Sequence, residues 1–82
     1  MKSARNVEEI GKLIKYHRQK MNYTQTEFAK RTGLTQVTIS NIEHGIGGTL
    51  KALVSISNVL GLEISFQKIQ KINSKSMLDY LE

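Results

Sequence analysis

Residues 24–45 read TQTEFAKRTGLTQVTISNIEHG, and the spacing of caps and glycines in this stretch decides the fold. Thr24 followed three positions later by Glu27 forms a capping box, in which hydroxyl and carboxylate each satisfy a backbone N–H that a helix start leaves open. Phe28 and Ala29 follow, and Gly33 suits the left-handed residue that closes a helix, so a helix is predicted over 25–32. Only Gly33 and Leu34 intervene before Thr35, a second good cap. The run behind it, with Val37, Ile39 and Ile42, stops at Gly45, which predicts a helix over 36–44.

Outward from this pair the same reasoning applies. Asn6 with Glu9 has the form of another capping box and opens a run with Val7, Ile10, Leu13, Ile14 and Met21 at helical spacing, predicting a helix over 7–21. After Ile46-Gly47-Gly48, Thr49 caps a fourth helix, whose Leu50, Leu53, Ile56, Val59 and Leu60 are read as one core stripe before Gly61. The period then changes. Leu62, Ile64 and Phe66 alternate with Glu63, Ser65 and Gln67, which is the two-residue period of a β-strand. No second strand pattern accompanies it, and a lone strand leaves a row of backbone groups unpaired, so its expected partner is a second copy of the chain. The expectation is an all-α domain of four to five helices with one C-terminal strand that pairs across a homodimer. Residues 1–61 form the helical domain, 62–72 the dimerisation strand and 73–82 a polar tail with Met77, Leu78, Tyr80 and Leu81 as a candidate partner contact.

The 82 residues hold no Cys, which removes a disulfide framework and a thiolate metal site as supports for a small core and leaves oligomerisation as the usual one. Apolar runs are too short to span a membrane and no signal-peptide pattern opens the chain, so a cytoplasmic protein is expected. The net charge of +5 is concentrated at one end. Residues 1–31 carry eight of the twelve Lys and Arg against Glu8, Glu9 and Glu27, whereas 32–60 and 61–82 each balance to zero. A basic module favours polyanions through counterion release, although charge alone fits a solubilising surface equally well.

Two short capped helices joined at Gly33 have the helix-turn-helix layout, in which the second helix enters the DNA major groove. Stepping about 100° per residue along 36–44 places Ile39 and Ile42 on the core side and Gln36, Val37, Ser40, Asn41 and His44 on the other. Gln and Asn can bond adenine bidentately, and an outward Val can pack on a thymine methyl. Uncharged amides are also ordinary on exposed helices, so this face gains weight from the basic first helix. Gln25 at a helix start is a candidate phosphate contact, as are Thr35 and the glycine loop, against the plainer reading of caps and tight turns.

These residues carry a resemblance. Tyr23-Thr24-Gln25-Thr26-Glu27-Phe28-Ala29 with Gly33 to Gly45 is similar to the phage-repressor-like (Cro/C1, xenobiotic-response-element) helix-turn-helix family, over residues 10–61. Thr49-Leu50 and Leu60 to Phe66 resemble the antitoxins of the HipA-kinase toxin systems, whose strand pairs across a homodimer. The resemblance implies a sequence-specific DNA-binding repressor that autoregulates its operon and binds a HipA-like kinase toxin. It implies base reading by Gln36, Val37 and Asn41 with Ser40 beside them, phosphate contacts by Gln25 and Thr35, and an ion pair between Arg18 and Glu43; Thr38, His44 and Gly47 are further candidate phosphate contacts. It implies dimerisation through Leu62, Ile64 and Phe66, and double-stranded DNA with an inverted-repeat operator as partner. Val37 stands where phage repressors often have a polar reader and Tyr23 where an aliphatic residue is usual, so the operator sequence is not carried over. A stand-alone phage- or plasmid-type repressor, or a protein-binding adaptor on the same fold, remain alternatives.

No nucleophile elbow or phosphate-loop motif occurs, and His17 and His44 fall on different helices without metal-ligand neighbours, so no enzyme activity, cofactor, metal or small-molecule substrate is expected. His17 is expected at the edge of the core and the Arg18–Glu43 pair at the border of two core faces.

Overall fold

The computed structural model describes residues 3–69. Among the described residues there are four helices: α1 (Val7–Lys20), α2 (Gln25–Thr32), α3 (Gln36–Glu43) and α4 (Leu50–Leu60). The chain therefore has the all-α helix-turn-helix architecture. Each helix starts on a side chain that accepts from the third backbone N–H: Asn6, Thr24, Thr35 and Thr49. At Thr24 the capping box is complete, with Glu27 N donating to Thr24 Oγ1 at 3.0 Å and Thr24 N donating to Glu27 Oε1 at 3.1 Å. At Asn6 it is not reciprocal, because Glu9 Oε1 takes the N–H of Arg5 at 2.8 Å, one residue further out.

The helix ends share one device. In each, a left-handed residue, Asn22, Gly33, Gly45 or Gly61, lies just past the helix. The apolar residue after it returns its N–H to a carbonyl five positions back: Tyr23 to Arg18, Leu34 to Ala29, Ile46 to Asn41 and Leu62 to Ser57. These closures set the boundaries a residue tighter than the apolar spacing predicts. Met21 caps α1 instead of extending it, and His44 caps α3. At Gly33 (φ +74) the turn between α2 and α3 needs the left-handed backbone that a Cβ disfavours, which lets a short turn join the two helices.

Phe28, Ile39 and Ile56 are wholly buried at the centre, with Ile14, Ala29, Ile42, Ala52 and Leu60 around them and Ile10, Tyr23, Leu34, Leu53, Val59 and Leu62 packed against the cluster. Three residues of the expected α1 and α4 apolar runs, Leu50, Val7 and Met21, are exposed instead. Leu50 is 82% exposed, because Ala52, Ile56 and Leu60 define the buried side of α4 and Leu50 lies with Val54 on the flank. Val7, in the first turn of α1, is exposed as well. At the α1–α3 crossing the backbones meet at Gly11: a Cβ there would lie 2.4 Å from the carbonyl oxygen of Ile42 and 2.7 Å from that of Glu43.

Residues 62–69 carry no helix and, among the described residues, no β-ladder. A ladder takes two strands, and one chain has only one candidate. Leu62 packs against the core, Ile64 is partly open and Phe66 is 99% exposed. The remainder of the expected strand segment and the tail with Met77, Leu78, Tyr80 and Leu81 lie outside the described residues. No helix among the described residues is long and apolar enough to cross a membrane.

Candidate nucleic-acid interface

The outer side of α3 is built from the sequence upward. Ile39 and Ile42 anchor the helix in the core, which turns Gln36, Val37 and Asn41 outward and leaves Ser40 half-buried beside them. Val37 is 64% exposed, an unfavourable place for an isopropyl group in water and a suitable one against a thymine methyl. No charged residue stands on this face between Gln36 and Ile42. The helix thus presents two amides, a hydroxyl and a methyl pair, chemistry that matches base edges.

Beneath this face lies a buried ion pair. Arg18 Nε donates to Glu43 Oε2 at 2.6 Å and Arg18 Nη2 to Glu43 Oε1 at 3.0 Å. The side chains are 8% and 1% exposed. The third guanidinium nitrogen, Nη1, donates to the carbonyl of Tyr23 at 2.7 Å, so one arginine ties α1, the α1–α2 turn and α3 together. Pairs so well satisfied fix geometry, since removing either partner strands the other charge.

From Glu43 the hydrogen bonding continues outward. Gln25 Nε2 donates to Glu43 Oε1 at 3.1 Å, and Gln36 Nε2 donates to Gln25 Oε1 at 2.7 Å. The side chain of Gln25 therefore runs sideways from the start of α2 onto α3 instead of projecting freely outward, and one amide N–H remains for a phosphate. Thr35 Oγ1 accepts the N–H of Thr38 at 3.1 Å and donates to Thr38 Oγ1 at 2.9 Å, leaving the Thr38 hydroxyl hydrogen available. His44 is exposed at the end of α3 with Nδ1 2.7 Å from the Ser40 carbonyl, which makes Nδ1 the protonated nitrogen and points Nε2 to solvent. Gly47 is exposed in the following loop with φ +62. His17, half-buried, meets Tyr16 edge to face at 5.2 Å and lies apart from this surface.

Two contributors escape a reading of the sequence. The Gln25–Gln36 bond spans eleven positions with no local signal. Gly11 does leave one, since a glycine inside a helical run usually marks close packing.

A fold of this topology with such a face defines a DNA-binding domain. A helix-turn-helix family model matches residues 14–67, and the chain belongs to that family, in its Cro/C1-type branch. No curated protein matches the sequence. Among solved structures, a HipB variant in complex with an O2 20mer is 28% identical, with a TM-score of 0.76 over 85% of this chain and 99% of that one. A HipA-HipB-O2-O3 complex matches with a TM-score of 0.75 and a HipB-O4 20mer complex with 0.76, each at 28% identity and covering 85% of this chain and 100% of the other.

Proposed function

We propose that this chain is a sequence-specific transcriptional repressor and the antitoxin of a HipA-like kinase toxin system, acting in the cytoplasm as a homodimer that represses its own promoter and binds its toxin. The observation that carries the reading is the uncharged outer face of α3, Gln36, Val37, Ser40 and Asn41, held on a buried arginine–glutamate pair in a chain whose net +5 lies in its first 31 residues. A surface needing only solubility is served better by charged residues. Similarity to HipB, solved in complexes that include HipA, supports the antitoxin role over a stand-alone repressor.

In this reading Gln36, Val37 and Asn41 meet base edges with Ser40 beside them, while Gln25, Thr35, Thr38, His44 and Gly47 hold the sugar–phosphate backbone. Leu62, Ile64 and Phe66 form one face of a two-stranded sheet with a second copy, which places two α3 helices about 34 Å apart and calls for an inverted repeat with half-site centres about 10 bp apart. Selection from a random duplex pool, followed by shift assays against competitor DNA, tests this. Enrichment of a palindrome bound by a dimer is expected. Absence of any enriched sequence would leave the protein-binding adaptor as the better reading. Co-expression with a HipA-like kinase tests the toxin partnership, with a stable complex as the expected result.

A further inference from the structure

His44 caps α3 on its outer arc, in line with Ser40 and Gln36 at steps of four residues, and is exposed. Its ring is held in one orientation. Nδ1 lies 2.7 Å from the Ser40 carbonyl oxygen, and a carbonyl oxygen only accepts, so Nδ1 carries a hydrogen whenever this bond is made. In the neutral ring Nε2 is then bare, and the nitrogen that faces solvent is an acceptor with nothing to donate. A phosphate oxygen is an acceptor as well. The two cannot bond until the ring takes up a second proton, which sits on Nε2 and gives a cation with its donor turned outward.

Nothing nearby in the described fold supplies a fixed counter-charge. Glu43, next in the chain, is turned inward onto Arg18, the one ion pair among the described residues. From α1, Glu8 lies against Gly45, where a Cβ would sit 3.0 Å from its Cα and Cγ, and it makes no ion pair with the His44 ring. α2 reaches this end of α3 through the uncharged Gln25. Residues 45–49 carry no charge, and the next charged group along the chain is Lys51, in the first turn of α4. The carbonyls at the end of α3 favour a cation at this position. A DNA phosphate laid along α3 would be its anionic partner.

We propose that His44 is a proton-gated phosphate contact, so that operator binding takes up a proton at each half-site. This rests on the DNA-reading function above. A proton held more tightly in the complex than in the free protein strengthens binding at low pH, and the gain is lost as pH rises. An opposite charge within about 4–6 Å favours the charged ring by about tenfold or more, which sets the size of the effect.

The test uses the full chain and the duplex it selects from a random pool, with affinity measured between about pH 5.5 and 8, the span over which histidine titrates. Relative to His44→Gln, whose amide donates at every pH, wild type is expected to lose about tenfold or more in affinity per half-site as pH rises across that span. His44→Lys, cationic throughout, is expected to hold its affinity. His17→Gln alters the other histidine, half-buried against Tyr16, and is expected to keep the wild-type profile. In ring-nitrogen NMR spectra at about pH 7, adding the duplex is expected to raise the share of His44 rings protonated on both nitrogens. Equal pH profiles for wild type and His44→Gln, a profile that flattens in His17→Gln instead, a His44→Lys chain as pH-dependent as wild type, or a His44 ring that gains no proton with DNA would each overturn the inference while leaving DNA reading intact. If wild type selects no sequence at all, the DNA-reading function fails and this inference with it.

Discussion

Replacing Gly11 by alanine sets two effects of opposite sign against each other. Within a helix, alanine is favoured over glycine by about 1 kcal/mol, so propensity alone predicts a more stable protein. The added methyl would however lie 2.4 Å from the Ile42 oxygen, 2.7 Å from the Glu43 oxygen and 2.9 Å from the Glu43 carbonyl carbon. All three are backbone atoms, so no side chain can rotate aside. To restore an ordinary contact of roughly 3.4 Å, α1 must retreat from α3 by about 1 Å. Arg18 lies seven positions further along the same side of α1, and its bonds to Glu43 at 2.6 and 3.0 Å would stretch with the retreat. Overpacking costs about 1–3 kcal/mol. Weakening a buried pair adds part of the roughly 3–5 kcal/mol that breaking it would cost. Together these exceed the propensity gain, and a net loss of about 2 kcal/mol or more is expected. For a domain of this size that lowers Tm by about 8–16 °C, at 4–8 °C per kcal/mol. Circular dichroism melts and urea titrations of the two proteins measure it directly. A Tm equal to or above that of wild type would refute the close crossing of α1 and α3.

The same pair predicts that Arg18→Ala or Glu43→Ala destabilises by about 3–5 kcal/mol in urea titrations, since each leaves a charge buried without its partner. Glu27 gives a pH signature. Its carboxyl is held below the ordinary value of 4.5, chiefly by the backbone N–H of Thr24, then by the Thr24 side chain and by Arg31 and Lys30, against the opposing effect of desolvation. A lowered pKa stabilises the fold above the ordinary value and ceases to do so as pH falls through the lowered one. The Tm difference between wild type and Glu27→Gln is therefore expected to be constant above pH 4.5 and to close below it. For the strand, Phe66 is 99% exposed in a single chain, so Phe66→Ala should leave the stability of an isolated protomer unchanged. In the proposed dimer it should cost about 3 kcal/mol, read as a loss of more than about a hundredfold in association by sedimentation equilibrium. A wild-type chain that is monomeric at micromolar concentration yet binds a palindrome tightly would remove the dimer from the proposal.

The four helices were legible in the sequence because their ends are written in local chemistry. Asn6, Thr24, Thr35 and Thr49 each bond a backbone group three residues away, and Gly33, Gly45 and Gly61 relieve a backbone conformation that a side chain would strain. The sides of α3 were legible for a related reason: helical period alone separates Ile39 and Ile42 from Gln36, Val37 and Asn41. Where only neighbours within the helix were known, the period misled. It placed Leu50 in the α4 core stripe, yet which arc of α4 meets α2 depends on how the helices cross, and Leu50 is left in solvent. Tertiary structure alone decided how the face of α3 is held. The hydrogen bonds from Arg18 through Glu43 and Gln25 to Gln36 join residues eighteen and twenty-five positions apart as well as eleven. Nothing in local sequence fixes which end of an amide faces which neighbour. That direction is set only when folding brings the amides to a carboxylate that can accept and cannot donate.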